Sequence, residues 1–270
     1  MIKVHSPDFN VDQIANSGQC FRISQISSTT WKVIAMNQSL RIHQEGNYDY
    51  VFECSREEYK KIWFDYFDMQ RDYGAIKEHV RSTNDAYLIA AINYGYGIRI
   101  LKQDLWETIV TFIISQQNNI SRIKNIITKL CEPYGDRFPT PDLLEKYTED
   151  DLLSLGLGYR AKYLKNISRA VLDGDLNLNE LKNTNYSNVI NCLKQFDGIG
   201  NKVANCIALF GLHKIEAFPV DVWIKRIIDD QYCGNFDLER FSKYAGVIQQ
   251  YMFFYQRSIA KRPHFRRKSA

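Results

Sequence analysis

The sequence predicts an α+β fold in which an N-terminal antiparallel β-sheet domain precedes a run of about eight short helices. Three observations carry that expectation. Residues 20–54 fall into short apolar runs separated by Ser, Thr, Asn and Gly; helical periodicity takes over from residue 55; and beyond that point strands do not alternate with helices, which disfavours a Rossmann-type or barrel architecture. With 270 residues, 45% apolar and 24% charged, the chain can fill one large or two small domains, and disorder or a collagen-like repeat is excluded.

Taken in order, Phe21-Arg22-Ile23, the run from Trp31 to Ala35, the run from Leu40 to His43 and Tyr50-Val51-Phe52 read as a meander with one buried face. That face needs a helix to cover it. Ser55 with Glu58 three residues on has the capping-box pattern, and Tyr59, Ile62, Trp63 and Tyr66 follow at helical spacing. Asp104 is placed to cap a helix with Leu105, Ile109, Phe112 and Ile113 on one stripe, and Asn119 to cap the next, with Ile123, Ile126, Ile127 and Leu130 inward. Thr140-Pro141 and Thr148 open two short helices, and Leu155-Gly156-Leu157-Gly158 interrupts before a helix from Tyr159 to Leu172. Further helices are expected near 187–195, 201–211, 221–231 and 237–257. The expected division is a sheet domain with covering helices over 1–100, a helical region over 101–256 and a basic tail over 257–270.

No apolar run reaches the roughly 18 residues that span a bilayer, and the first 20 residues lack the apolar core of a secretion signal, so a soluble, cytosolic protein with no membrane partner is expected. The six cysteines lie far apart with no C-x-x-C spacing, which argues against a zinc site or a four-cysteine cluster and for reduced thiols. Net charge is +4, but Arg257, Lys261, Arg262, Arg266, Arg267 and Lys268 supply six positive charges at the C-terminus, so the rest of the chain carries −2. A near-neutral body with a basic tail suits either a polyanion partner or a solvated terminus.

The chemistry concentrates near residue 200. Residues 193–204 read as an apolar helix end, a Gly198-x-Gly200 turn and a helix opening on Lys202-Val203-Ala204, which is a helix–hairpin–helix. The two glycines let the backbone take positive φ and approach another chain, and the free N–H groups of the second helix form an anion site suited to a nucleic-acid phosphate, bound without reading sequence. Nineteen residues after Lys202, Phe218-Pro219-Val220-Asp221 ends a loop and opens a helix with Asp221 as its N-cap. Taken singly, these residues also fit a surface ammonium and a helix cap.

Together they resemble the 8-oxoguanine DNA glycosylases, within the helix–hairpin–helix Gly-Pro-Asp superfamily of base-excision enzymes. The resemblance runs through most of the chain: Ser17-Gly18-Gln19-Cys20-Phe21-Arg22, the run from Phe112 to Ile120, the run from Leu155 to Ala161, the hairpin, and Tyr244-Ala245-Gly246 with Gln249 and Phe253. It implies an α-helical glycosylase core behind the sheet domain and an enzyme that flips an oxidised guanine out of duplex DNA, opposite cytosine, and excises it. Lys202 would attack C1′ as a neutral amine to give an imine, whose acidified sugar C–H permits strand cleavage by β-elimination, while Asp221 stabilises the developing sugar cation.

The resemblance also places Gly18, Cys206, Gln249 and Phe253 around the damaged base: Phe253 and Cys206 on its two faces, Gln249 on its Watson–Crick edge and the Gly18 carbonyl on the N7–H that oxidation creates. Gln249 and Phe253 are i and i+4 on one helix, although Phe253 with Tyr251 and Phe254 fits a core stripe as well. Gln117, Arg122, Tyr159 and Arg160 fall on the family's opposite-base and duplex-wedge positions, and Gly198, Gly200 and Val203 on its phosphate-binding hairpin. Two positions depart from the family pattern. Gln117 is one methylene longer than the usual asparagine, and Trp223 stands where a histidine often contacts phosphate.

No organic cofactor is implied; a structural monovalent or calcium ion on the hairpin carbonyls of Phe196 and Ile199 is the one ligand to look for. The partner would be double-stranded DNA containing oxidised guanine, bound by a monomer, in the cytoplasm or, if the basic tail is a nuclear address, the nucleus. The competing readings are a monofunctional alkylated-base glycosylase, which would lack Lys202, and a non-catalytic helix–hairpin–helix DNA-binding protein.

Overall fold

The computed structural model describes residues 1–261. Five strands, β1 (Ile2–His5), β2 (Ile23–Ser27), β3 (Thr30–Ala35), β4 (Gln38–Gln44) and β5 (Asp49–Phe52), form one antiparallel sheet in the order β1-β5-β4-β3-β2. The meander is as expected from Ile23 onward, but β1 adds an edge strand, paired Ile2 to Phe52 through His5 to Asp49, whose only sequence signal is the apolar/polar alternation of Ile2-Lys3-Val4-His5. Phe21 and Arg22 precede β2 and turn toward the helices: Phe21 meets Phe112 with ring centroids 5.8 Å apart.

One helix, α1 (Val11–Asn16), precedes β2, and the covering segment follows β5: α2 (Arg56–Glu58), a π-helical turn over Tyr59–Trp63 and α3 (Phe64–Tyr66). Ser55 accepts the Glu58 N–H at 3.0 Å, whereas the Glu58 carboxylate accepts from the Trp63 indole at 2.7 Å, so only half of the expected capping box forms. Trp63, Tyr66 and Phe67 are buried against Trp31, Val33, Leu40, Ile42 and Phe52 of the sheet.

The helical region comprises α4 (Tyr73–Ser82), α5 (Ala86–Tyr94), α6 (Leu105–Ile114), α7 (Ile120–Cys131), α8 (Pro141–Glu145), α9 (Glu149–Ser154), α10 (Arg160–Asp173), α11 (Leu178–Asn183), α12 (Tyr186–Leu193), α13 (Asn201–Gly211), α14 (Val222–Tyr232) and α15 (Ala245–Lys261). Asp104, Asn119 and Asp221 cap α6, α7 and α14 through their side chains, as their positions predict, and Thr148 caps α9 in a full capping box. The last expected helix divides: Glu239–Tyr244 is 3-10, and α15 runs through Arg257 to Lys261. Arg262, Arg266, Arg267 and Lys268 of the basic tail lie outside the described residues.

Polar anchors join the sheet to the helices. Buried Arg99 donates to the carbonyls of Phe67, Asp8, Asp68 and Arg71. Arg22 pairs with Glu107 of α6 at 3.0 Å, with the two side chains only 7% and 15% exposed. Burial pushes the Glu107 carboxyl up from 4.5 to about 7, against the pull of Arg22. Between those values the unfolded chain has released this proton while the folded chain keeps it, so stability falls as pH rises from about 4.5 to about 7. Glu107→Gln is expected to remove that slope from thermal melts taken across the window. Arg22→Ala, which removes the charge opposing that shift, should raise the Glu107 pKa further and, in the same melts, carry the downward slope of stability above about pH 7.

Candidate active site and nucleic-acid interface

The hairpin is built where α12 meets α13. Leu193, Ile199 and Val203 are buried beneath the turn, and Asn205 ties the two helices by donating to the Asn201 carbonyl at 2.8 Å and accepting from Tyr186 Oη at 2.6 Å. Gly198 has φ +83, and a Cβ there would lie 2.5 Å from the Tyr163 ring of α10. Gly200 differs from expectation: as N-cap of α13 it is extended, with φ −82 and ψ 179, so its backbone does not require glycine. What it provides is room, since nothing lies within 4 Å of its missing Cβ. Within α13 the first backbone bond of the helix is Ala204 N–H to the Gly200 carbonyl at 2.9 Å, which leaves the N–H groups of Asn201, Lys202 and Val203 open at the positive end of the helix.

Lys202, on the first turn of α13, makes no ion pair among the described residues, and its Nζ lies 5.3 Å from the Phe112 ring centroid. Phe112 in turn stacks on Phe210 at 5.4 Å. One turn further on, Cys206 is buried; desolvation pushes its thiol above its usual value, with the neighbouring Lys202 opposing the shift. Asp221 Oδ1 accepts the N–H groups of Trp223 at 3.0 Å and Ile224 at 2.9 Å, fixing the carboxylate at the mouth of α14.

Gly18 sits on a loop that its neighbours pin. Buried Gln19 donates to Ser17 Oγ and to the Arg99 carbonyl, each at 2.9 Å, and accepts the Leu101 N–H at 2.8 Å. Gly18 itself has φ +81, and a Cβ there would stand 3.1 Å from the Phe253 ring. Gln249 is buried and accepts from Gln250 Nε2 at 2.9 Å.

These residues converge. A cleft of about 870 Å³ is lined by Gly18, Phe112, Gln117, Lys202, Asp221 and Phe253, among others. A second cavity of about 40 Å³, lined by Gly18, Lys202, Cys206, Asp221, Gln249 and Phe253, lies at its inner end. The structure therefore brings together Lys202, Asp221 and all four expected base-recognition residues, with Gly200 and Val203 at the rim. Gln117 lines the same cleft from a left-handed turn, φ 44. Arg122 and Tyr159 stand apart from the cleft, Arg122 donating to the Gly156 carbonyl at 2.9 Å and Tyr159 48% exposed.

Arg160 is held by backbone carbonyls. It is 4% exposed, and its guanidinium donates to the carbonyls of Gln116, Gln117 and Leu157 while packing over the Tyr159 ring. It tethers the Gln116–Gln117 turn. Of the two carbonyls expected to hold an ion, that of Phe196 already accepts the Ile199 N–H at 3.1 Å. Among the described residues no group of three metal-ligating side chains gathers, and no helix is long and apolar enough to cross a membrane. Sequence reasoning missed Arg257, which lines the cleft one turn beyond Phe253; the spacing 249, 253, 257 was the available signal.

A hairpin with open N–H groups carries a lysine into a cleft that a capped aspartate also lines, and residues 110–235 match the family model described as HhH-GPD superfamily base excision DNA repair protein. Residues 1–109 match the model described as 8-oxoguanine DNA glycosylase, N-terminal domain. A solved structure of MBOgg1 with a low affinity DNA ligand superposes with a TM-score of 0.89 at 35% identity, covering 96% of each chain. The Clostridium acetobutylicum 8-oxoguanine glycosylase/lyase, solved with double-stranded DNA containing cytosine opposite to 8-oxoG, gives 0.87 at 35% identity over 94% of this chain and 93% of that one. The N-glycosylase/DNA lyase of Saccharomyces cerevisiae is 37% identical over 158 residues, 50% of this chain and 42% of the yeast protein, so the match spans less than half of that relative. The chain belongs to the 8-oxoguanine DNA glycosylase family.

The two hairpin glycines should separate experimentally. Gly198→Ala adds a left-handed strain of about 1–2 kcal/mol to a collision with Tyr163, so both the melting temperature and DNA affinity are expected to fall. Gly200→Ala should leave melting unchanged and weaken DNA binding in a fluorescence-anisotropy titration, because its cost arises only when a backbone phosphate approaches.

Proposed function

We propose that this protein is a bifunctional DNA glycosylase/AP lyase of base-excision repair that removes 8-oxoguanine, opposite cytosine, from double-stranded DNA. The observation that carries this reading is the convergence of Lys202 and Asp221, from the N-termini of two different helices, on one cleft whose inner end is made by Gly18, Cys206, Gln249 and Phe253. A flipped nucleotide with its base inward sets its sugar between the amine and the carboxylate.

In the proposed reaction the C1′–N9 bond breaks with its electron pair leaving on the base, which takes up a proton, and the Lys202 Nζ–C1′ bond forms. Asp221, with one oxygen fixed by two N–H groups, faces the sugar as positive charge builds on it. Opening of the sugar ring gives the imine; loss of a C2′ proton then expels the 3′ phosphate by β-elimination. The chain supplies its own nucleophile, so no organic cofactor is needed. A monovalent or calcium ion on the hairpin would share the Phe196 carbonyl with the Ile199 N–H.

On the other strand, Gln117 and Tyr159 would enter the vacated stack and Arg122 would exchange its Gly156 carbonyl for the orphaned cytosine, while the hairpin N–H groups would hold phosphate. The cleft is complete within one chain, which suits a monomer working wherever the genome lies, in cytoplasm or nucleus.

The test is a duplex with one 8-oxoguanine opposite cytosine, incubated with the protein and borohydride. A covalent protein–DNA adduct and strand cleavage are expected, both lost in Lys202→Gln while lesion binding persists. Asp221→Asn should slow single-turnover excision by about 10²-fold or more with little change in affinity. Base release without an adduct would identify a monofunctional glycosylase, and turnover unchanged in Lys202→Gln would overturn the mechanism.

A further inference from the structure

Gln249, Phe253 and Arg257 recur at i, i+4 and i+8 along α15 and so line one face of the helix. They grade from the buried amide of Gln249 through the half-buried ring of Phe253 to the guanidinium of Arg257 at the cleft. Arg257 lies 5.2 Å from the Phe253 ring centroid. Its Nη1 is 3.6 Å from where a side chain on Gly18 would begin and makes one long hydrogen bond, 3.4 Å, to the Asn16 carbonyl.

Such a side chain is poorly compensated. No carboxylate of the described residues lies within ion-pair distance of Arg257, and burial lowers its affinity for its proton while the charge of Asp221 opposes that shift. A half-buried cation with five donors and one weak acceptor is built for an oxyanion, and planar bidentate geometry matches a phosphate. The inner end of the cleft is where the base edges are met, and Lys202 and Asp221 flank the sugar position. Arg257 stands outside both. Of the other large side chains of the cleft close to Asp221, Trp223 carries no charge and Lys225, one turn along α14, is a point charge without the planar fork of Arg257.

We propose that Arg257 is a positioning residue that binds the phosphodiester flanking the flipped nucleotide, anchoring the strand at the lip of the cleft so that the base can seat against Phe253 and Gln249. The inference rests on the glycosylase reading given above. It assigns a phosphate contact to the side chain next to the recognition pocket, in addition to those proposed for the hairpin.

The test combines Arg257→Leu and Arg257→Lys with 8-oxoguanine duplexes in which the phosphate 5′ or 3′ of the lesion is replaced by an uncharged methylphosphonate. Single-turnover excision against enzyme concentration separates half-saturation from the rate at saturation. On the ordinary duplex, Arg257→Leu should raise half-saturation about tenfold or more, change the saturated rate little, and reduce the slope of log affinity against log salt by about one. Arg257→Lys should recover most of the salt slope. One of the two methylphosphonate duplexes should weaken the unmodified protein by the same factor and Arg257→Leu no further. Equal losses in both proteins on both methylphosphonate duplexes, or a normal salt slope in Arg257→Leu, would overturn the proposal and leave Arg257 as packing on Phe253. Failure of the unmodified protein to excise from the ordinary duplex would overturn the glycosylase reading with it.

Discussion

The site hangs from a helix that water barely reaches. Every residue of α13 from Val203 to Phe210 is buried, so this helix has no solvent face to spend on polar groups, and its exposed end is the turn that carries Lys202. Burial on all sides requires close neighbours. Gly211 admits α6, where a Cβ would meet Leu105 and Thr108 at 3.1 Å, and Gly246 admits the start of α15, where a Cβ would lie 2.7 Å from the Ala217 carbonyl. These approaches fix Phe112 under the Lys202 amine and bring Gln249 and Phe253 across from Cys206. A core of this kind has native packing density, and a shift of one helix would be felt at the cleft.

The polar parts of the cleft are held by groups that do not face it. Gln19 uses its side-chain amide on Ser17, Arg99 and Leu101, which sets the left-handed Gly18 loop; Arg99 in turn fastens four carbonyls around the junction of sheet and helices. Arg160 does the same for the Gln116–Gln117 turn, and the N–H groups of α14 do it for Asp221. Gln19, Arg99 and Arg160 are buried donor sets with their partners satisfied, the condition under which a polar network orders a site without loosening the core.

Local signals were legible in the sequence and distant ones were not. Asp104, Asn119, Thr148 and Asp221 could be read as caps because a cap is a relation among residues three apart, and the hairpin could be read because its glycines are neighbours. The cleft residues Gly18, Cys206, Gln249 and Phe253 came from resemblance, since nothing in their spacing says that a loop before β2 meets the last helix. Edge strand β1 has only four residues of alternation to announce it, and the π-helical turn at Tyr59–Trp63 changes the period inside an otherwise regular pattern. Arg257 was grouped with the basic tail for the same reason, although it lies on α15 and lines the cleft. An arginine reads as a surface charge until the carbonyls around it, or the lack of a carboxylate beside it, are known.

The two cavities differ widely in size, and for the proposed function that difference bears on how DNA would be met. The inner one, about 40 Å³, has room for about one water, and the Phe253 ring lies against Gly18 across it, so a purine enters only after that ring yields. Extruding a base already costs a few kcal/mol of stacking and pairing, and opening the pocket adds to it. The open N–H groups of the α13 turn and the wide outer cleft of about 870 Å³ need no such rearrangement, and a charge-assisted bond to phosphate supplies about 1.5–3 kcal/mol. Under the proposed function, backbone contacts would therefore come first and help to offset the cost of base entry. The base would seat with the strand already held, and the sugar would then stand between Lys202 and Asp221.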